Sequence, residues 1–224
     1  MNKKKTIIGI AIALAALLIM GYIEQVVAPA YLIKSIIKVF LFLGTILLYK
    51  IISKEKLKDI IRFNKMRPAK ILYFCMGIAY IGIILLFVIL RNHLDLQNIK
   101  NSLVSKEQLT RENCLFIFSY IMICNSFLEE AFFRGFIFHL FESLKLKKLG
   151  YVFGGLSFAL YHIGMVSNWF NLFIFIFCIA GLAVVGMILQ FISCKYDSLK
   201  ASWLIHGCAN FAINTIGAIL IFGL

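Results

Sequence analysis

Two neighbouring glutamates, Glu129 and Glu130, interrupt an otherwise apolar run, Phe127-Leu128-Glu129-Glu130-Ala131-Phe132-Phe133-Arg134. Histidines stand in comparable surroundings further on, His162 in Phe158-Ala159-Leu160-Tyr161-His162 and His206 in His206-Gly207-Cys208-Ala209-Asn210. A carboxylate paired with a histidine can take a proton from water. A second histidine and an asparagine supply donors where an oxyanion would develop. Together these side chains are a kit for hydrolysing an amide.

Helical geometry gives the two glutamates different tasks. Glu130 and Arg134 stand at i, i+4 with the acid on the N-terminal side, the order that favours an ion pair. Glu129 points about 100° away, given 3.6 residues per turn. One carboxylate is therefore expected to be held by the arginine and the other to be free as a base. A structural Glu130–Arg134 staple alone would leave Glu129 unexplained. Taken singly, His162 reads as a hydrogen-bonded packing residue. His206 with Asn210 reads singly as polar glue between helices that Gly207 and Ala209 allow to approach closely.

The elements that carry these residues are membrane helices. Of the 224 residues, 62% are hydrophobic and the mean hydropathy is +0.95, against about 45–50% apolar in an ordinary soluble domain. About 20 apolar residues cross the hydrocarbon core. Seven segments are expected, near Thr6–Ile23, Tyr31–Ile52, Ile71–Leu90, Asn113–Ser143, Tyr151–Met165, Trp169–Ile192 and Leu199 to the C-terminus. The fold class is thus all-α, a polytopic transmembrane bundle. The first segment follows Lys3, Lys4 and Lys5 as a signal peptide would, but no small-residue cleavage site stands near its end, so a retained helix is expected. Lys34 and Lys38, one turn apart near the start of the second segment, are expected to snorkel to the interface.

Charge then orients the bundle. The net charge is +13, but the lysines and arginines collect in short connections, which excludes a nucleic-acid partner in favour of the positive-inside rule. The N-terminus and the connections after the second, fourth and sixth segments hold sixteen of the 23 basic residues, and the alternate connections hold four. A cytoplasmic N-terminus follows. In that topology Glu129, Glu130, His162 and His206 all fall where they meet in the cytoplasmic half of the bilayer. An intramembrane charge costs about 2.5–3.5 kcal/mol on insertion scales and is usually functional. Three polar clusters at one depth therefore favour a site over separate packing roles. The six cysteines show no CxxC spacing and read as small buried hydrophobes.

The motifs E-E-x-x-x-R, F-x-x-x-H and H-x-x-x-N, in this order on successive helices, resemble the CPBP family of CAAX proteases and bacteriocin-processing enzymes, also called Abi. Glu129, Glu130 and Arg134 match the first, Phe158 and His162 the second, and His206 and Asn210 the third. The resemblance covers the C-terminal half and divides the chain into three N-terminal helices, 1–112, and a catalytic helical core, 113–224. It implies an intramembrane endopeptidase of a multi-pass membrane protein, in the bacterial plasma membrane given the Ile-, Lys-, Phe- and Asn-rich composition. Glu129 and His162 would activate water, Glu130 and Arg134 would orient them, and His206 with Asn210 would hold the oxyanion. The implied partners are the lipid bilayer and a hydrophobic or lipid-modified peptide or protein, such as a bacteriocin or pheromone precursor. Metal use stays open for the family. Glu129, His162 and His206 make up the three ligands usual for a catalytic zinc, whereas the H-E-x-x-H signature is absent. The expectation is no cofactor, with zinc as the alternative.

Other classes fit less well. A rhomboid-like serine peptidase would want G-x-S-G, and Gly155-Leu156-Ser157 is closed by Phe158 instead. An intramembrane aspartyl peptidase is excluded because Asp59, Asp95 and Asp197 fall in connections. A non-catalytic bacteriocin-immunity or transport protein is the remaining alternative, since carboxylates with histidines also relay protons.

Overall fold

The computed structural model describes residues 3–67, 69–166 and 170–223. Among the described residues, six helices are long and apolar enough to cross a membrane: α1 (Lys3–Val27), α2 (Tyr31–Ser53), α3 (Lys70–His93), α4 (Cys114–Ser143), α6 (Leu172–Tyr196) and α7 (Leu199–Phe222). The expected fifth segment is the helix α5 (Lys147–Tyr161), whose 15 residues span about 22 Å at 1.5 Å per residue. That is short of the roughly 30 Å hydrocarbon core, so six of the seven expected segments are of spanning length among the described residues. Trp169, the expected start of the sixth segment, and Leu224, the end of the seventh, lie outside the described residues.

Large apolar side chains cover the outside. Phe173, Leu115, Leu18 and Phe40 are each at least 75% exposed, and α3 buries only Leu72. Such a surface requires lipid as its solvent. The six cysteines are likewise half-buried or, at Cys124, exposed, rather than buried as expected, and none is paired.

The interior is aromatic where α1, α2, α4 and α5 meet. Phe42 stacks on Phe132 at 4.0 Å, and Phe133 sits edge-on to Phe158 at 5.4 Å. Tyr49, Phe136 and Ile137 extend this core beside Ala13, Ala16 and Met20 of α1. α2 contributes through one stripe, Lys34, Lys38, Phe42, Thr45 and Tyr49, spaced three or four residues apart. Lys34 and Lys38 therefore point inward. They do not snorkel. Lys34 Nζ lies 2.9 Å from both Glu24 at the end of α1 and Glu107. Those ion pairs tie α1, α2 and the 102–107 turn together.

Two local devices position the later helices. Ser198 caps α7 by accepting from Lys200 N and donates its hydroxyl to the Asn64 carbonyl at 2.8 Å. Asn171 caps α6 through Ile174 N at 2.9 Å. α5 and α6 touch through glycine: a Cβ on Gly155 would stand 2.7 Å from the Ala183 carbonyl, and one on Gly186 would stand 2.9 Å from Gly155 Cα. Gly155→Val should therefore force these helices apart at a cost of about 1–3 kcal/mol. Thermal unfolding of the detergent-purified protein is expected to show the loss, whereas Gly181→Ala on the open face of α6 should leave the transition in place.

Candidate active site

α4 is not a regular α-helix. Wide π-type turns at Ile121–Asn125 and Ala131–Ile137 flank the short α-helical stretch Ser126–Glu130 that carries both glutamates. π-turns inside helices recur at functional sites because they loosen the carbonyl ladder and re-aim side chains. Here α7 supplies partners to the loosened backbone. Asn210 Nδ2 donates to the Ile121 carbonyl at 3.1 Å, and Trp203 Nε1 donates to Ile123 at 3.0 Å. Gly207 permits this approach, since a Cβ there would lie 3.0 Å from the Met122 carbonyl.

His162 terminates α5 rather than sitting within it. Its backbone N–H donates to Ala159 O at 3.0 Å, so its ring, with Nδ1 2.7 Å from Phe158 O, takes over a carbonyl of the last turn. A carbonyl partner places the proton on Nδ1 and leaves the Nε2 lone pair facing the glutamates. The Phe158 ring lies 4.5 Å from His162, 5.7 Å from His206 and 4.1 Å from the Arg134 guanidinium. That explains why a phenylalanine and a histidine are useful four residues apart.

The two glutamates are wholly buried and divide their partners as the helical offset predicts. Glu130 Oε1 is 3.4 Å from Arg134 Nη1 and 2.9 Å from His206 Nδ1. Glu129 faces the other way, toward α2. Its Oε2 stands 3.5 Å from His206 Nε2 and 4.0 Å from His162 Nε2. Its Oε1 is not free, contrary to the sequence expectation. Lys38 Nζ lies 2.5 Å from it and Asn125 Nδ2 lies 3.0 Å from it. Lys38 Nζ also donates to Asn125 Oδ1 at 2.6 Å.

Five of the six sequence-predicted residues thus converge: Glu129, Glu130, Arg134, His162 and His206. Asn210 stands one turn from His206, and its described hydrogen bond leads to the α4 backbone. Lys38 and Asn125 were missed. The period of the α2 stripe carried the signal for Lys38, and Asn125 stands one turn before Glu129 on the same helix.

Glu129, His162 and His206 are the side chains that a metal would have to use. An ammonium already occupies Oε1 of Glu129, while Phe158 O takes only Nδ1 of His162. Among the described residues, no three His, Cys, Asp or Glu side chains are placed to hold a metal ion. Asp59, Asp95 and Asp197 lie outside the six spans, as the exclusion of an aspartyl site requires.

Apolar helices thus surround a buried carboxylate–histidine centre. Residues 111–212, which hold all three motifs, match the family described as Type II CAAX prenyl endopeptidase Rce1-like. The motif-bearing part of this chain is therefore similar to that family, in line with the motif resemblance. No curated protein and no solved structure matches the chain.

Arg134 brings a permanent positive charge to Glu130. Removing one partner of a buried ion pair costs about 3–5 kcal/mol. Arg134→Met should destabilise the protein by that order in detergent unfolding, and adding Glu130→Gln should restore most of the loss.

Proposed function

We propose that this protein is an intramembrane endopeptidase that uses Glu129 and His162 to activate water against a peptide bond of a membrane-associated substrate. The observation that carries this reading is the facing pair of acceptors, Glu129 Oε2 and His162 Nε2, 4.0 Å apart. Two acceptors at that separation bind a species that donates to both, and water has two O–H bonds to give. As water adds to the scissile carbonyl, its proton passes to this pair, which later returns it to the leaving amine. His206, as the imidazolium, would donate from Nε2 to the oxyanion while its Nδ1–H is held by Glu130, which Arg134 in turn anchors. Asn210, bonded to α4 through one N–H, offers its second N–H on the same side of α7.

The centre works without a metal in this reading, because Lys38 supplies at Glu129 the positive charge that a zinc would otherwise bring. The N-terminus is cytoplasmic, following the distribution of lysine and arginine, and the membrane is a bacterial plasma membrane. The substrate class is a hydrophobic or lipid-modified peptide, such as a bacteriocin or pheromone precursor. The domain match to CAAX endopeptidases supports peptide hydrolysis. The oily exterior supports a substrate that reaches the site from the bilayer.

The test is cleavage of a farnesylated C-terminal CAAX peptide and of hydrophobic leader peptides by the purified protein in proteoliposomes. Glu129→Gln keeps the shape but removes the base, and should lower kcat by at least about 100-fold. Full activity in that variant would refute the mechanism. Protection of cells by a Glu129→Gln protein against a bacteriocin would instead favour immunity by binding.

A further inference from the structure

α2 lies outside residues 111–212 of the family match, yet it reaches the centre of the site. We propose that Lys38 is the positioning residue for the catalytic base, so that the N-terminal helices complete a site which the motif-bearing half leaves unfinished. This inference rests on the reading of Glu129 as the base.

A glutamate carboxylate has two equivalent oxygens and a soft terminal torsion, so a base needs something to decide which oxygen faces the water. Here Lys38 Nζ and Asn125 Nδ2 both bind Oε1, at 2.5 and 3.0 Å. Oε2 is thereby left toward His162 and His206. Asn125 is itself set by the lysine: its Oδ1 accepts from Lys38 Nζ at 2.6 Å, which turns its amide N–H toward Glu129. The three side chains form a closed ring of hydrogen bonds in which each fixes the next.

The ammonium is held in turn. It lies 4.8 Å from the centroid of Tyr161 and 5.8 Å from that of Phe42, and the Lys38 side chain is only 6% exposed. Tyr161 is the residue before His162, so the floor beneath the lysine is continuous with the backbone that presents the second half of the base pair. A lysine kept merely to neutralise a buried charge would not need to select one oxygen of Glu129 or to orient an intervening amide. The lysine also acts at a distance from the peptide, since the oxygen that it binds faces away from the reacting side. Its loss should therefore affect turnover and leave substrate affinity alone.

Full-length protein in proteoliposomes, assayed with the farnesylated CAAX peptide, tests this. Lys38→Met should lower kcat by about 100-fold, the scale of a misplaced reacting group, with KM unchanged. In Lys38→Ala, added methylamine should return about tenfold or more of the lost kcat, and it should do nothing for Glu129→Gln. Thermal unfolding supplies a readout that needs no cleavage: Lys38→Met should lower the transition by several degrees in the wild-type background and far less in Glu129→Gln. A kcat within about threefold of wild type, or an equal melting loss in both backgrounds, would overturn the proposal. If the wild-type protein cleaves neither probe, the peptidase reading fails and the melting comparison alone decides on the Lys38–Glu129 pairing. If Lys38→Met does not fold, recovery of a folded Lys38→Met/Glu129→Gln protein supports the pairing, and its failure to fold overturns it.

Discussion

A carboxylate that works inside a bilayer has to bring its counter-ion with it. Water cannot shield the charge there, and an uncompensated ion of this size costs several kcal/mol even after relaxation. This protein buries two adjacent carboxylates and meets each with its own cation, Arg134 for Glu130 and Lys38 for Glu129. The remaining architecture follows from that pairing. α4 widens around the glutamates, α7 approaches through Gly207 to satisfy its carbonyls, and α2 turns a lysine stripe inward. The short α5 ends where His162 can take a backbone carbonyl and still face Glu129.

The pairing also separates the roles of the two glutamates. Glu130 shares one oxygen between Arg134 and His206, which suits the scaffold role proposed for it. Glu129 has one oxygen clamped and one presented to two histidines, which is the asymmetry that a base requires. Lys38 compensates the charge of Glu129 directly, which supports the proposed metal-free mechanism.

Much of this was legible in the sequence. The apolar runs gave the spans, and helical spacing gave the Glu130–Arg134 pair and the divergence of Glu129. The conjunction of three motifs picked out five residues that the fold brings together. What the sequence reading missed depended on tertiary contacts. Lys34 and Lys38 lie on the same three-and-four spacing as Phe42, Thr45 and Tyr49, but a lysine near a helix end reads equally as snorkelling until its partners are known. Those partners, Glu24, Glu107 and Glu129, lie 10, 73 and 91 residues away in the chain. The π-turns were not legible, because nothing in Ile121–Asn125 or Ala131–Ile137 distinguishes a π-turn from an α-helical one by residue type. The early end of α5 had only Gly164 as a local hint.

The central proposal is that Lys38, rather than a catalytic metal, compensates the charge of Glu129. The direct measurement is the rate of hydrolysis of the farnesylated peptide by protein stripped with chelator, with residual metal quantified by mass spectrometry on the same sample. The account predicts an unchanged rate at a metal content far below one atom per chain. A rate lost on stripping and restored by stoichiometric zinc would contradict it.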